Sequence, residues 1–354
     1  AMEYMYGLDM DVDNYAWVML GATVNLESSE TDKAYTITDV SGDEVAKLTS
    51  DEEGRNTTID SDNFGFMMSA FGGATNTVNV GEGTEINTEN AVFLYKAGDA
   101  VVTIDNADVS AANGVLFQAI DNEDSIVGDM TKGFSEPEGW SSTWYEGEDY
   151  QGQFSSSGNT GTIIISNSEI QGDIYNGTGY FYTAGGMFAS EGIFGAHTLD
   201  VTLDGTTKLS GVISSTEIQH GDSEDSLNKT ITFRDNDGDP YDVERATEGA
   251  MKLGHVINRN YFNGYNMVNV TVADQAVWNI TGDAIVNNVT LAGADSVSAD
   301  EAVTVTVYGT LTVGGESFTY TEETTQPDDD QQDGEIQVAG LLTLIVNGVE
   351  VPLD

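Results

Sequence analysis

The sequence predicts an all-β fold, a right-handed parallel β-helix (β-solenoid) with loop excursions and a C-terminal closing hairpin. Three observations carry this. Short β-branched triplets alternate with turns rich in Gly, Asp and Asn, most plainly from Val268 to Gly315, and that stretch has no helical apolar repeat. Apolar triplets also recur at a fixed period: Val78 and Val102 lie 24 residues apart, Ile86 and Val109 lie 23 apart, and Val92 and Val115 lie 23 apart. Glycine supplies 40 of 354 residues, about 11% against an average near 7%, which suits many turns around a thin core.

A period of 23 or 24 residues holds three short strands and three turns, one round of a three-sided coil. No round buries its inner face alone. Stacking rounds about 4.8 Å apart pairs each strand with the strands above and below it. The right hand follows from the preference for right-handed crossovers between parallel strands.

At the N-terminus the apolar run Tyr15 to Leu20 is continuous, so its period fits a strand or a short capping helix; Ala22-Val24-Leu26 alternates as a strand. This Met- and aromatic-rich start is suited to cap one end of the coil. Tyr35–Thr38 and Thr57–Ile59 read as strands between acidic turns, and Phe64–Met68 as a core-facing segment. Residues 121–160 break the rhythm as a loop thrown out of the coil. It resumes at Thr162–Ile165 with Ile170 and Ile174, and again at Leu199–Leu203 with Leu209, Val212 and Ile213. Residues 215–265 combine one strand, Thr230–Phe233, with polar turns and a short helix around Val243 to Leu253. The expected domain is 1–320 with its N-terminal cap, followed by an acidic linker at 321–335. Strands at 336–354 close the same domain, with Asn347-Gly348 turning a hairpin between Leu341–Val346 and Val349–Val351. Exposed edges there are open to self-association.

The charge narrows the function. Sixty acidic residues against 11 basic ones give a formal net charge of −49. Such a surface repels phosphate backbones and anionic headgroups, so no nucleic-acid or membrane-surface partner is expected. It attracts hard cations, calcium above all, although solubility or salt adaptation would select the same composition. The absence of cysteine excludes disulfides and thiolate metal sites. The longest apolar run, Val338 to Val346, is too short to span a bilayer. An acidic, Cys-free, Lys-poor chain rich in Thr, Asn and Gly points to an extracellular or cell-surface location.

Two clusters stand out. Asp235, Asp237, Asp239 and Asp242 space carboxylates almost alternately, a pattern whose oxygens converge on one calcium ion in a tight loop. The run departs from an EF-hand, with Pro240 in place of the required Gly and Ala246 in place of the bidentate Glu, and Asp-Asn-Gly turns are also ordinary punctuation. Trp140, Trp144, Tyr145 and Tyr150 lie among Glu138, Glu146, Glu148 and Asp149 inside the first excursion. Flat aromatics suit sugar rings and carboxylates suit hydroxyls, so these residues are the candidate ligand-binding set; the plainer reading folds them back over the coil.

Catalytic signatures are sparse. His197, His220 and His255 are dispersed, and no Gly-x-Ser-x-Gly elbow occurs. Arg234, Arg245 and Arg259 near the acidic run keep open a calcium-dependent polysaccharide lyase, and 60 acids keep open a glycoside hydrolase pair.

The stretch Ala276-Val277-Trp278-Asn279-Ile280-Thr281-Gly282-Asp283, followed by Val289-Thr290-Leu291, resembles the coil consensus of bacterial autotransporter passengers and related β-helix adhesins. Its second element is one residue shorter than that consensus. The resemblance covers roughly residues 268–315. It implies a secreted or cell-surface protein of adhesin type. With the excursions at 121–160 and 215–265, the chain is read as a rigid stalk that binds a glycan or a surface protein of a host or neighbouring cell through the loops interrupting the coil, and not as an enzyme.

Overall fold

The computed structural model describes residues 2–28, 34–38, 44–49, 56–70, 74–120, 159–177, 198–220, 229–234, 240–245, 256–262, 266–319, 336–338 and 342–346. The described chain is all-β, with parallel strands stacked in sheets, an arrangement compatible with a β-solenoid. Among the described residues there is no α-helix, only a 3₁₀ turn at Ala294–Ser296.

Successive strands visit three sides in rotation. The first side is a ten-stranded sheet running from Met2–Tyr6 and Thr23–Glu27 to Asn288–Leu291, Thr310–Val313 and Glu316–Thr319. The second side comprises two four-stranded sheets in succession, one holding Asp9–Val12, Thr57–Ser61, Thr84–Thr88 and Asp108–Ala111, the other Glu169–Gln171 to Val297–Ser298. The third side begins with a seven-stranded sheet from Tyr15–Met19 to Ile213–His220 and Val256–Asn260, and continues as Ala284–Val286, Val303–Val307 and Leu342–Val346.

Alternation explains why these residues form strands. Thr160–Ser166 alternates half-buried and buried positions along its whole length, as a strand with one face in the core must. On the first side the inward residues stack in register: Val24, Val78, Val102, Ile163, Val201, Val270, Val289 and Leu311 form one continuous row, each at most 1% exposed. Burying each such side chain contributes about 1.5–3 kcal/mol. On the third side the row is aromatic: Trp17, Phe66 and Phe93 stack with centroids 4.9 and 5.3 Å apart, and Phe117 follows at 6.3 Å, tilted by 31°. Trp278 lies inside the core, 1% exposed, and its Nε1 donates to the Gly211 carbonyl at 3.0 Å.

The turns repeat as well. Asn106, Asn167 and Gly205 follow strands whose last residues are in register, and all three adopt left-handed backbone, with φ of 52°, 50° and 58°. Asparagine and glycine are the residues that tolerate this region at least cost.

The predicted period matches the strand pairing. Val102 is opposite Val78 and Val109 is opposite Ile86. On the third side the offset is 24 and not the expected 23: Phe93 is opposite Phe117, so the Val92 amide donates to the Val115 carbonyl at 3.3 Å without the two residues being opposite. One open choice closes, one expectation changes, and one is left untouched by the described residues. Tyr15–Met19 is a strand of the third side, not a helix. Pro240–Arg245 is a strand paired antiparallel with Lys229–Arg234, so the first part of the expected helix at 243–253 is extended; residues 246–253 lie outside the described residues. The described C-terminal hairpin pairs Ile336–Val338 with Leu342–Val346, one connection earlier than the Asn347-Gly348 turn, which lies outside the described residues.

Candidate functional site

In successive rounds, segments outside the described residues join the described strands at one corner, between the third side and the first. Residues 121–158 connect Ile120 to Asn159 and the strand Thr160–Ser166; residues 178–197 connect Gly177 to Thr198. In the next round the strand Ile213–His220 continues past Ser215 at the same corner, and Val256–Asn260 returns along it antiparallel. The roots of these segments are adjacent rungs: Ala119 faces Asn176, which faces Ser215, and across the corner Thr160 faces Thr198 while Leu199 faces Val268. The strand spacing of about 4.8 Å therefore separates one root from the next.

A polar network fixes this corner. Gln118, Asn176, Ser214, Ser215, Thr216 and Asn266 are all at most 5% exposed. Buried polar groups must be paired, and these are. Asn258 Nδ2 donates to Gln118 Oε1 at 2.8 Å, while Asn258 Oδ1 accepts from Gln118 Nε2 at 3.2 Å and from Thr216 Oγ1 at 2.9 Å. Asn176 Nδ2 donates to the Met267 carbonyl at 3.1 Å, and Ser215 Oγ donates to the Asn266 carbonyl at 2.6 Å. Asn266 Nδ2 in turn donates to the carbonyls of Thr216, at 2.9 Å, and Tyr261, at 2.7 Å.

Aromatic rings open to solvent beside this network. Tyr261 is 50% exposed, and Phe262 stacks on Tyr308 with centroids 4.5 Å apart and planes 20° from parallel. Tyr308 enters the same corner two rounds further along, before Thr310–Val313. Flat rings next to amides suit the C–H faces and hydroxyls of a sugar. Neither these aromatics nor the buried network is evident in the sequence. The signal that was available is the Ser214-Ser215-Thr216 run, which puts hydroxyls where the alternation of the strand calls for inward apolar residues.

Two tyrosines near the corner hold their protons unusually tightly. Burial, and then the nearby Asp99 charge, pushes the Tyr95 phenol well above its ordinary range; its Oη donates to the Gly98 carbonyl at 2.5 Å. Burial, and then Asp173 through its charge and its hydrogen bond, does the same to Tyr175, whose Oη donates to Asp173 Oδ2 at 2.8 Å.

The sequence-predicted aromatics Trp140, Trp144, Tyr145 and Tyr150 lie outside the described residues, in the segment rooted between Ile120 and Asn159. Of the predicted calcium ligands, Asp235, Asp237 and Asp239 lie outside them too; Asp242 is in the strand Pro240–Arg245, its backbone opposite Thr232. The run 235–239 joins two antiparallel strands whose ends meet at Arg234 and Pro240. Among the described residues no group of three or more His, Asp or Glu is gathered so as to hold a metal ion. No helix among them is long and apolar enough to cross a membrane.

Compared with protein-family models, with curated proteins and with solved structures, the chain matches none.

Proposed function

We propose that the chain is a right-handed parallel β-helix serving as the rigid stalk of a secreted or cell-surface, adhesin-like protein. Its excursions would bind a glycan or a surface protein of a host or neighbouring cell. The observation that carries this reading is the rooting of the long excursions on adjacent rungs of one corner, next to the exposed Tyr261 and the Phe262–Tyr308 pair. A scaffold with paired, buried strands fixes the roots, and segments held on a rigid scaffold are where binding residues concentrate. The right hand rests on the crossover preference of parallel strands. The charge of −49 adds a partner condition: an anionic ligand would be repelled unless a cation bridged it.

Calcium belongs to this reading. Asp235, Asp237, Asp239 and Asp242 would hold it with hard oxygen ligands at the end of the hairpin, drawing that excursion into one shape.

The test is an array of glycans and cell-surface proteins probed with the full chain and with a variant in which residues 131–155 are replaced by a short Gly-Ser linker. Binding by the full chain that the variant loses supports the proposal; no binding to any array member overturns it. Incubation with a polysaccharide panel separates binding from catalysis, because release of reducing ends or unsaturated product would assign the fold to a calcium-dependent lyase or a hydrolase.

A further inference from the structure

The middle of the outward face of the ten-stranded sheet differs from the rest of this acidic surface, including the Glu27, Asp99, Asp105 and Asp204 positions that flank it on the same face. Two neighbouring rows of side chains run across it along the stacking direction. From Thr23 and Asn25 to Thr310 and Thr312, these rows carry threonine or asparagine at every rung except Val101, Ile164 and Asp200. One carboxylate therefore interrupts two rows of a chain with 60 acids. The second side makes the contrast: Asp9, Asp11, Asp60, Glu85 and Asp108 share the outward face of one four-stranded sheet.

The rows are rigid and regular. Asn79 Nδ2 donates to Asn25 Oδ1 at 2.8 Å, Thr103 Oγ1 donates to Asn79 Oδ1, and Asn269 Nδ2 donates to Asp200 Oδ1 at 2.8 Å. Further along, Thr202, Thr271, Thr290 and Thr312 stand in register on consecutive rungs. Thr271 and Thr290 are exposed, and the hydroxyls of Thr202, Thr271 and Thr290 bond to no other described residue. Each can still donate one hydrogen bond and accept two. Aromatic rings flank both ends. Tyr4, in register with Asn25, stacks with Tyr6 at 6.4 Å, and Tyr308 stands at the corner that leads into Thr310.

We infer that this face binds a neutral linear polysaccharide lying along the stacking axis. The inference rests on the binding-stalk reading above and gives it a site and a ligand class. A β-branched hydroxyl offers a methyl group and a donor–acceptor oxygen together, and a sugar offers C–H faces and hydroxyls in return. A carboxylate face would only accept. Anionic polysaccharides are excluded by the surrounding charge, whereas a neutral one approaches without that cost. Added β-strands are not candidates, because the interior strands of this sheet are paired on both edges. The aromatic rings at both ends favour sugar rings over an ice surface, which has no C–H face to stack.

Affinity electrophoresis and co-sedimentation of the full chain with neutral glucans, xylans and mannans, and with polygalacturonate and alginate as anionic counterparts, test this. Neutral polymers retard or sediment the chain and anionic ones do not. Thr271→Glu/Thr290→Glu weakens the binding at least tenfold, and Thr271→Ser/Thr290→Ser retains it. Circular dichroism confirms that each variant is folded, and Thr271→Lys/Thr290→Lys serves if the glutamate pair is not. Retention of array binding by the glutamate variant at unchanged affinity overturns this face and leaves the binding-stalk reading standing. Absence of any ligand for the unaltered chain overturns both. Ice shaping or thermal hysteresis without polysaccharide binding overturns the ligand class.

Discussion

Gln118 and Asn258 exchange two hydrogen bonds across 140 residues of sequence: Asn258 Nδ2 donates to Gln118 Oε1 at 2.8 Å, and Gln118 Nε2 donates back to Asn258 Oδ1 at 3.2 Å. The pair ties the base of one excursion to the strand that closes another. Replacing Gln118 with Ala leaves the half-buried Asn258 Nδ2 without this acceptor, while Oδ1 keeps only the Thr216 hydroxyl. We expect a loss of about 1–3 kcal/mol in urea unfolding. Gln118→Ala/Asn258→Ala should lose less than the sum of the two single changes, and strict additivity would show that the pair does not interact.

Gly98 turns the chain from the third side to the first. Its φ is +75°, and a Cβ there would overlap the Cβ and backbone of Ala70 in the round beneath. Gly98→Ala should therefore cost about 1–3 kcal/mol from the left-handed backbone alone, with overlap added. Gly114→Ala is the control. It shares the positive φ, at +78°, but a Cβ there meets nothing within 4 Å. A larger drop in melting temperature for Gly98→Ala than for Gly114→Ala is the expected result.

Stability should fall in alkali. Tyr95 and Tyr175 keep their protons far above the ordinary tyrosine range in the fold, while an unfolded chain releases them near pH 10. The folded state then binds more protons than the unfolded one, so this contribution is fully present below about pH 10 and is lost as pH rises beyond it. Urea midpoints measured from pH 8 to pH 11 should decline at the upper end, and Tyr95→Phe should flatten the decline. A midpoint independent of pH over that range would contradict the burial of both phenols.

Asn87 occupies the acidic second side. Its Nδ2 donates to Asp60 Oδ1 at 3.1 Å and to Glu85 Oε1 at 3.0 Å, and its Oδ1 accepts from Ser110 Oγ at 2.8 Å. Asn87→Asp removes the donor and adds a third charge beside the other two. A loss of about 1 kcal/mol is expected at low salt. The loss should shrink in about 1 M salt, where the screening length falls to about 3 Å. A salt-independent loss would mean that packing, not repulsion, governs the site.

Much of the fold was legible in the sequence because its period is imposed by apolar residues. Val78, Val102, Ile86 and Val109 face the core, and their spacing is the rung spacing itself. The antiparallel strand Pro240–Arg245 was not legible. Its identity comes from its partner Lys229–Arg234, and the local sequence suits a helix as well. The corner was less legible still. Asn176, Ser215 and Asn266 are polar residues at fully buried positions, which hydrophobic periodicity assigns to the surface. Only the three-dimensional closure of the round brings their partners within reach.

The left-handed residues Asn106, Asn167 and Gly205 have a consequence for how such a chain changes length. These three successive rounds end one side with the same backbone gesture at the same register position, so each of them is a template for the next. A whole round can be duplicated or deleted and still meet a compatible neighbour above and below. Adding or removing a single residue instead turns every inward side chain of its strand outward. The stack of parallel strands is thus modular in units of a round, and its length is set by counting modules.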